Sequence, residues 1–261
     1  DQGKGLVFID LRDKYGMTQV VFDAEDSPSE VMKTGSTLRR EDVISVSGIV
    51  RVRDGKPNPK LETGEIELVA MEIEVINRTD TLPILPDDHD ADSIAEEHRL
   101  RYRYIDLRRP KMQKILSLRH RLTQCTRNFF ADKGFIEVET PLLISPTPEG
   151  ARDFIVPSRH QAGRWYALPQ SPQIFKQILM VAGCDKYMQI CKCLRDEDPR
   201  ADRQAEFTQI DLEMSFVDRD DVLEIMSEFT QTIFKDVKGI ELGDIQHMSW
   251  QDAMDNYGSD R

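Results

Sequence analysis

Two hydrophobic periods divide this sequence, and the point where one gives way to the other limits the folds open to it. From Gly5 to about Ile76, apolar residues fall in short runs, Leu6 to Leu11, Met17 to Phe22, Val43 to Val52 and Ile66 to Ile76. Turn residues such as Lys14-Tyr15-Gly16 and Gly55-Lys56-Pro57-Asn58-Pro59 separate them. Alternation with such punctuation is a strand signature and predicts a small all-β barrel. Farther on the spacing is helical. Gln113 to Lys133 carries Leu116, Leu122, Phe129 and Phe130 and stops at Gly134. Ser171 as N-cap and Pro172 at the first helical position open a helix through Phe175, Ile178, Leu179 and Val181 to Gly183. A third runs from Arg219, capped by Asp218, to about Lys238, with Val222, Met226, Phe229 and Ile233 in its stripe and Gly239 beyond. The expected class is α+β.

Between the two regimes lies an abrupt change of charge. Leu82-Pro-Ile-Leu-Pro86 reads as an extended linker, and Asp87 to Glu97 holds six acids and no Lys or Arg. His98 to Arg121 then holds nine Lys and Arg against the single acid Asp106, a local +8 within a chain of net charge −12. The total excludes a simple basic nucleic-acid module, while the segment suits phosphate binding through arginine forks. A solvated helix face paired with the acidic run accounts for the same charges.

Four cysteines in 261 residues, Cys125, Cys184, Cys191 and Cys193, are too few for a disulfide scaffold, and reduced thiols are expected. Cys191 and Cys193 would share one side of a strand. Metal ligation is not expected of them. No apolar stretch has the length of a membrane span, and Asp1-Gln2-Gly3 lacks the layout of a signal peptide, so a cytoplasmic protein without a membrane partner is expected.

Tyr187 to Phe216 is the segment richest in chemistry, reading as strand, polar loop, strand. Thr208, Ile210, Leu212, Met214 and Phe216 fall on one face of the second strand and suit a core. Phe207, Gln209, Asp211, Glu213 and Ser215 fall on the other. Carboxylates beside a glutamine and an aromatic are costly on a packed strand unless something polar or cationic meets them, although a half-solvated sheet gives the same alternation. Arg195, at the mouth of the loop, has the parity to hold a phosphate while Phe207 stacks on a base. Arg200 and Arg203 add cations, and Asp196, Glu197, Asp198 and Asp202 add acceptors.

The stretch R-D-E-D-P-R-A-D-R-Q-A-E-F-T-Q-I-D-L-E resembles motif 2 of the class II aminoacyl-tRNA synthetases, in the form found in the bacterial-type aspartyl-tRNA synthetases. Gly134 to Leu143 (G-F-I-E-V-E-T-P-L-L) resembles motif 1. Thr147 to Arg159, Leu168 to Gln177 and Arg101 to Arg109 add matches in the same order. The resemblance implies an OB-fold anticodon-binding barrel over residues 1–80, a hinge over 81–110, and over 111–261 the first part of an antiparallel-sheet catalytic domain. It implies ATP-dependent activation of L-aspartate to aspartyl-adenylate and transfer to tRNA-Asp, with tRNA-Asn left open as a further substrate, ATP and Mg²⁺ as cofactors, and a homodimer formed through Gly134 to Pro141.

The same resemblance assigns roles. Arg195 would be the catalytic residue, on the ATP α-phosphate and the aspartate carboxyl. Asp196, Glu197, Gln204 and Phe207 would complete the ATP site, Phe207 over the base. Ser171, Gln173 and Lys176 would line the amino-acid pocket, Lys176 facing the substrate side-chain carboxylate. Glu149 would close over the ammonium with Asp211 as its fixed partner; positioning magnesium or Gln173 are alternative tasks for Asp211 and Glu213. Phe8 and Gln19 would contact the anticodon, with barrel core as the alternative for Phe8. Arg101 and Arg108 would meet tRNA along the hinge, and the helix bearing Arg119 and Arg121 would serve tRNA or the dimer. No G-x-G-x-x-R of a motif 3 occurs, so the sequence is expected to be a central fragment, unable to aminoacylate alone.

Overall fold

The computed structural model describes residues 5–53, 55–87, 93–198, 200 and 202–259. Residues 1–4, which include Asp1-Gln2-Gly3, Asp54, the middle of the acidic run (88–92), Pro199 and Ala201 of the polar loop, and residues 260–261 lie outside the described residues. The chain divides into two compact units, residues 1–106 and 107–261.

In the first unit, β1 (Leu6–Arg12), β2 (Met17–Asp23), β3 (Val43–Val52) and β4 (Ile66–Asn77) form one sheet in the order β1-β2-β4-β3. β1–β2 and β3–β4 are antiparallel, whereas β2 and β4 run parallel at Val20↔Leu68 and Val21↔Val69. The strands follow the apolar runs closely. α1 (Ser29–Ser36), which the sequence pattern does not announce, covers the inner face, where Val20, Phe22, Val31 and Ala70 make the core with Val7, Ile9 and Leu11. The register of β3 on β4 slips between Ser47 and Gly48. Any side chain at Gly48 would collide with the Val69 carbonyl, since a Cβ would lie 1.9 Å from its oxygen. Beyond the sheet come α2 (Glu96–Arg101) and the single turn α3 (Arg103–Asp106).

The second unit opens on α4 (Pro110–Asp132), which starts at a proline already suited to a first turn and ends before Gly134 at φ 81°. The strand expected over Phe135 to Pro141 is only the two-residue β5 (Ile136–Glu137), because pairing to its neighbour lasts only that far before the chain departs. β6 (Ile155–Pro157) and β7 (Trp165–Ala167) form a small hairpin. α5 (Gln173–Val181) begins one residue later than the sequence suggests, with Pro172 in the capping place. The Ser171 hydroxyl still accepts from the Gln173 amide at 3.3 Å.

β8 (Lys186–Leu194) and β9 (Glu206–Met214) are the expected antiparallel pair, in register from Lys186↔Met214 to Leu194↔Glu206, and β5 joins β8 in parallel. α6 (Arg219–Ile233) carries the capping box of Asp218 and Asp221 and passes into a π-turn, Phe234–Lys238, ended by Gly239 in the left-handed conformation. α7 (Trp250–Tyr257) follows.

The three-stranded sheet has two unlike faces. Met188, Ile190, Leu212 and Met214 meet Phe129, Phe130 and Phe135 together with Phe229 from α6, the rings of Phe130 and Phe229 lying 4.7 Å apart. Phe216, expected to continue that core, is instead 98% exposed. The strand ends at Met214, and Phe216 takes φ 57°, a reversal that carries the chain into the Asp218 cap and turns the ring away. The opposite face holds Tyr187, Gln189, Cys191, Cys193, Gln209, Asp211 and Glu213.

Candidate active site

Alternation along β8 and β9 gathers the polar groups on the face that α4 and α6 leave open, and α5 supplies a cation to it. Lys176 is buried with its ammonium 3.0 Å from Asp211 Oδ1, 3.1 Å from Glu213 Oε2 and 3.3 Å from the Leu212 carbonyl, so each of its three protons has a taker. Burial works against the ammonium, but hydrogen bonds and charge from Asp211 and Glu213 outweigh it and hold Lys176 above the ordinary lysine value. For Asp211 burial wins: it raises the carboxyl above the usual range despite Lys176. The second oxygen, Asp211 Oδ2, is buried without a hydrogen-bond partner. A ligand carrying a cationic N–H donor would satisfy it.

Under the lysine, polar side chains hold one another. The Tyr187 hydroxyl donates to Gln189 Oε1 at 2.7 Å, and Thr140 Oγ1 reaches the same oxygen at 3.1 Å. Burial, then the nearby Asp211 charge, pushes the Tyr187 phenol far up, so it remains a donor. Cys191 and Cys193 are free thiols with sulfurs 3.7 Å apart, and Cys193 contacts Gln209 Oε1 at 3.0 Å. They share one strand face, as their spacing suggests. Among the described residues no group of three or more His, Cys, Asp or Glu side chains could hold a metal ion.

At the other end of this face, the Arg195 amide donates to the Ala205 carbonyl at 2.8 Å, fixing the residue just past β8. Its guanidinium lies 5.1 Å from the centroid of Phe207. Phe207 stands on β9 opposite Cys193, four residues from Asp211, a separation of ~13 Å along an extended strand. Asp196, Glu197 and Gln204 are exposed along the loop, Glu197 3.9 Å from Arg203. Gly150, Arg152, Asp196, Glu197, Arg200 and Arg203 help line a cavity of about 320 Å³.

Glu149 is placed by α5's approach: its Oε2 accepts from the Ser171 hydroxyl at 2.9 Å. Sequence reasoning gave no role to two residues beside it. Gln170, 1% exposed, bonds the Ala151 backbone and Asp153, while Arg152 bonds the backbone of Asp196. Both stand inside segments carrying the family resemblance, which was the available signal.

The tRNA candidates are more scattered. Phe8 is 42% exposed on the outer face of β1, the core there being made by Val7, Ile9 and Leu11. Gln19, 6% exposed, donates to Glu67 at 3.1 Å, and Glu67 in turn accepts from Arg51 at 2.8 Å. Arg101 in the first unit and Arg108 in the second are exposed. Arg119 and Arg121 are spent internally, on the Thr208 hydroxyl and the Asp236 carbonyl. No helix among the described residues is long and apolar enough to cross a membrane.

Comparison with known proteins gives the geometry a family. Residues 95–261 match the model for tRNA synthetases class II (D, K and N), and residues 1–76 match the OB-fold nucleic acid binding domain. An aspartate–tRNA(Asp/Asn) ligase of Legionella pneumophila (strain Paris) is 49% identical over 98% of this chain and 43% of its own length. An aspartate–tRNA ligase of Clostridium acetobutylicum is 52% identical over the same shares. The chain thus spans under half the length of the curated relatives it matches. The crystal structure of asparaginyl-tRNA synthetase from Pyrococcus horikoshii complexed with asparaginyl-adenylate superposes with a TM-score of 0.78 over 92% of this chain and 52% of that one; at 24% identity it supports the fold alone. With more than half of its length matched by the class II model, and an OB-fold match ahead of it, this chain belongs to the class II tRNA synthetases of the D, K and N group.

Proposed function

We propose that the protein is an aspartate–tRNA ligase that activates L-aspartate with ATP and transfers it to tRNA-Asp, tRNA-Asn being a second acceptor. The observation that carries this reading is the polarity of one sheet face. Lys176 and the unpartnered Asp211 Oδ2 suit the side-chain carboxylate and the ammonium of aspartate, and Arg195 over Phe207 suits a phosphate next to a base. To bind the substrate, Lys176 exchanges one of its present acceptors, the weakest being the Leu212 carbonyl. A cation at this position favours aspartate over neutral asparagine. Ser171, Gln173 and Glu149 complete the amino-acid side, and Asp196, Glu197 and Gln204 the nucleotide side.

The chemistry needs no nucleophilic side chain. The aspartate carboxylate attacks the α-phosphate, pyrophosphate leaves, and the adenylate then passes its aspartyl group to the tRNA terminal ribose. Arg195 neutralises charge developing on the phosphorus oxygens, and the rigid strand ends align the reactants. Mg²⁺, arriving with ATP, would supply further charge neutralisation.

Residues 1–80 act as the anticodon-binding unit, with Phe8 stacking on a base and Gln19 at a base edge once released from Glu67. Residues 81–110 form a hinge that presents Arg101 and Arg108 to RNA, and 111–261 contribute motifs 1 and 2 of the catalytic domain. The exposed Ile136, Leu142 and Leu143 around Gly134 to Pro141 support dimer formation there, in a cytoplasmic enzyme. Aspartate-dependent exchange of pyrophosphate into ATP by the whole gene product tests the assignment. Exchange driven by asparagine, or none with aspartate, overturns it.

A further inference from the structure

The segment 149–153 has no regular secondary structure of its own, yet it is held at two opposite sides. On one side, Gln170 works as a surrogate strand partner. Its Oε1 accepts from the Ala151 amide at 3.0 Å, and its Nε2 donates to the Ala151 carbonyl at 2.8 Å and to Asp153 Oδ1 at 2.5 Å. These three bonds use both amide protons and the carbonyl oxygen of a side chain that is 1% exposed. The adjacent Ser171 donates to Glu149. On the other side, the Asp196 amide donates to the Arg152 carbonyl at 3.0 Å, and Arg152 Nε donates back to the Asp196 carbonyl at 3.3 Å. The loop bearing Glu149 is thereby tied both to the lead-in of α5, which carries Lys176, and to the residue after Arg195.

From this geometry we infer that Gln170 is a positioning residue that latches loop 149–153, setting the reach of Glu149 toward the amino-acid pocket and of Arg152 toward the nucleotide side. The roles of those two regions rest on the proposed function; the latch itself does not. Gln170 is suited to the task because a glutamine matches both the N–H and the C=O of one residue while keeping a proton for a carboxylate. Glutamate at this position would lose both donated bonds and face the Asp153 charge.

Hydrogen exchange on the whole gene product reads the latch directly and needs no substrate. Gln170→Ala is expected to speed exchange of the 149–153 amides about tenfold or more while leaving α5 amides unchanged. In pyrophosphate exchange, aspartate KM is expected to rise about tenfold with ATP KM shifting less than about threefold. Gln170→Glu should loosen the loop in the same way, and adding Asp153→Asn, which restores a donor opposite the glutamate, should recover most of the protection. That pair carries the test if Gln170→Ala does not fold. Unchanged loop protection in Gln170→Ala, or a double variant no better protected than Gln170→Glu, overturns the latch. Loop loosening in a protein that shows no aspartate-dependent exchange would instead uphold the latch and sink the proposed function.

Discussion

The guanidinium of Arg195 lies over the ring of Phe207, 5.1 Å from its centroid, although eleven residues of loop and strand separate them along the chain. The hairpin brings them together: Phe207 pairs with Cys193, and the Arg195 amide bonds Ala205. The ring thus holds the cation at the strand end before any phosphate arrives.

Arg195→Lys is consequently a severe change. A lysine lacks the planar fork and the flat contact with Phe207, and kcat for pyrophosphate exchange is expected to fall by about 10²- to 10³-fold. Phe207→Leu should chiefly raise ATP KM. Steady-state kinetics of the whole gene product separate the two, and an Arg195→Lys variant within threefold of wild type would rule out a charge-stabilising role.

Lys176 and its carboxylates form a second testable unit. Lys176→Ala leaves Asp211, already raised by burial, beside Glu213 with no cation, at an expected cost of about 3 kcal/mol. The lysine pKa is raised in the fold, so its contribution is whole below the unfolded value of about 10.4 and is lost as pH rises through the higher folded value. Urea midpoints should accordingly fall above about pH 10 more steeply in wild type than in Lys176→Ala. Equal slopes would show that the ion pair contributes no stability.

Which parts were legible follows from where the physics is periodic. Strand alternation placed Asp211, Glu213 and Phe207 on one face and Leu212 and Met214 on the other, and helical spacing with a proline start nearly placed Lys176. It failed where no period operates. α1 mixes the helix formers Glu30, Met32 and Lys33 with weak ones (Ser29, Thr34, Gly35, Ser36) and buries Val31 and Gly35, the latter so close to Phe22 that a Cβ would lie 2.6 Å from the ring. Phe216 kept strand parity but belongs to a reversal. Gln170 escaped notice for the same reason: a side chain that imitates a strand edge has no signature in spacing.

Asp42 fastens the start of β3 to the end of β4. It accepts from the amides of Arg39 at 3.0 Å and Thr79 at 2.9 Å and from Arg78 at 2.8 Å, with its side chain 2% exposed. Those bonds, the Arg39 amide foremost, hold its carboxyl below the usual range. The stabilisation is present above the unfolded value of about 3.9 and is lost as pH falls through the lower folded value. Asp42→Asn should lower the melting temperature of the OB-fold unit at pH 7 by a few degrees and flatten its acid limb, as followed by amide exchange of β3 and β4.

Phe8 and Phe22 lie in neighbouring strands on opposite faces, and truncating them should separate binding from folding. Phe22 is fully buried with Val20, Val31 and Ala70, so Phe22→Ala is expected to cost about 3–5 kcal/mol and to impair every function that needs the unit folded. Phe8 projects from the outer face, opposite Val21 in register, and its loss should change stability by less than about 0.5 kcal/mol. If it stacks on an anticodon base, Phe8→Ala weakens tRNA binding by about 1–3 kcal/mol. Aspartate-dependent pyrophosphate exchange, which involves no tRNA, should stay at the wild-type rate. Filter binding of tRNA together with that exchange assay distinguishes the outcomes: unchanged tRNA affinity would remove Phe8 from the RNA interface, and a loss of both activities would mean that its exposed ring supports the fold after all.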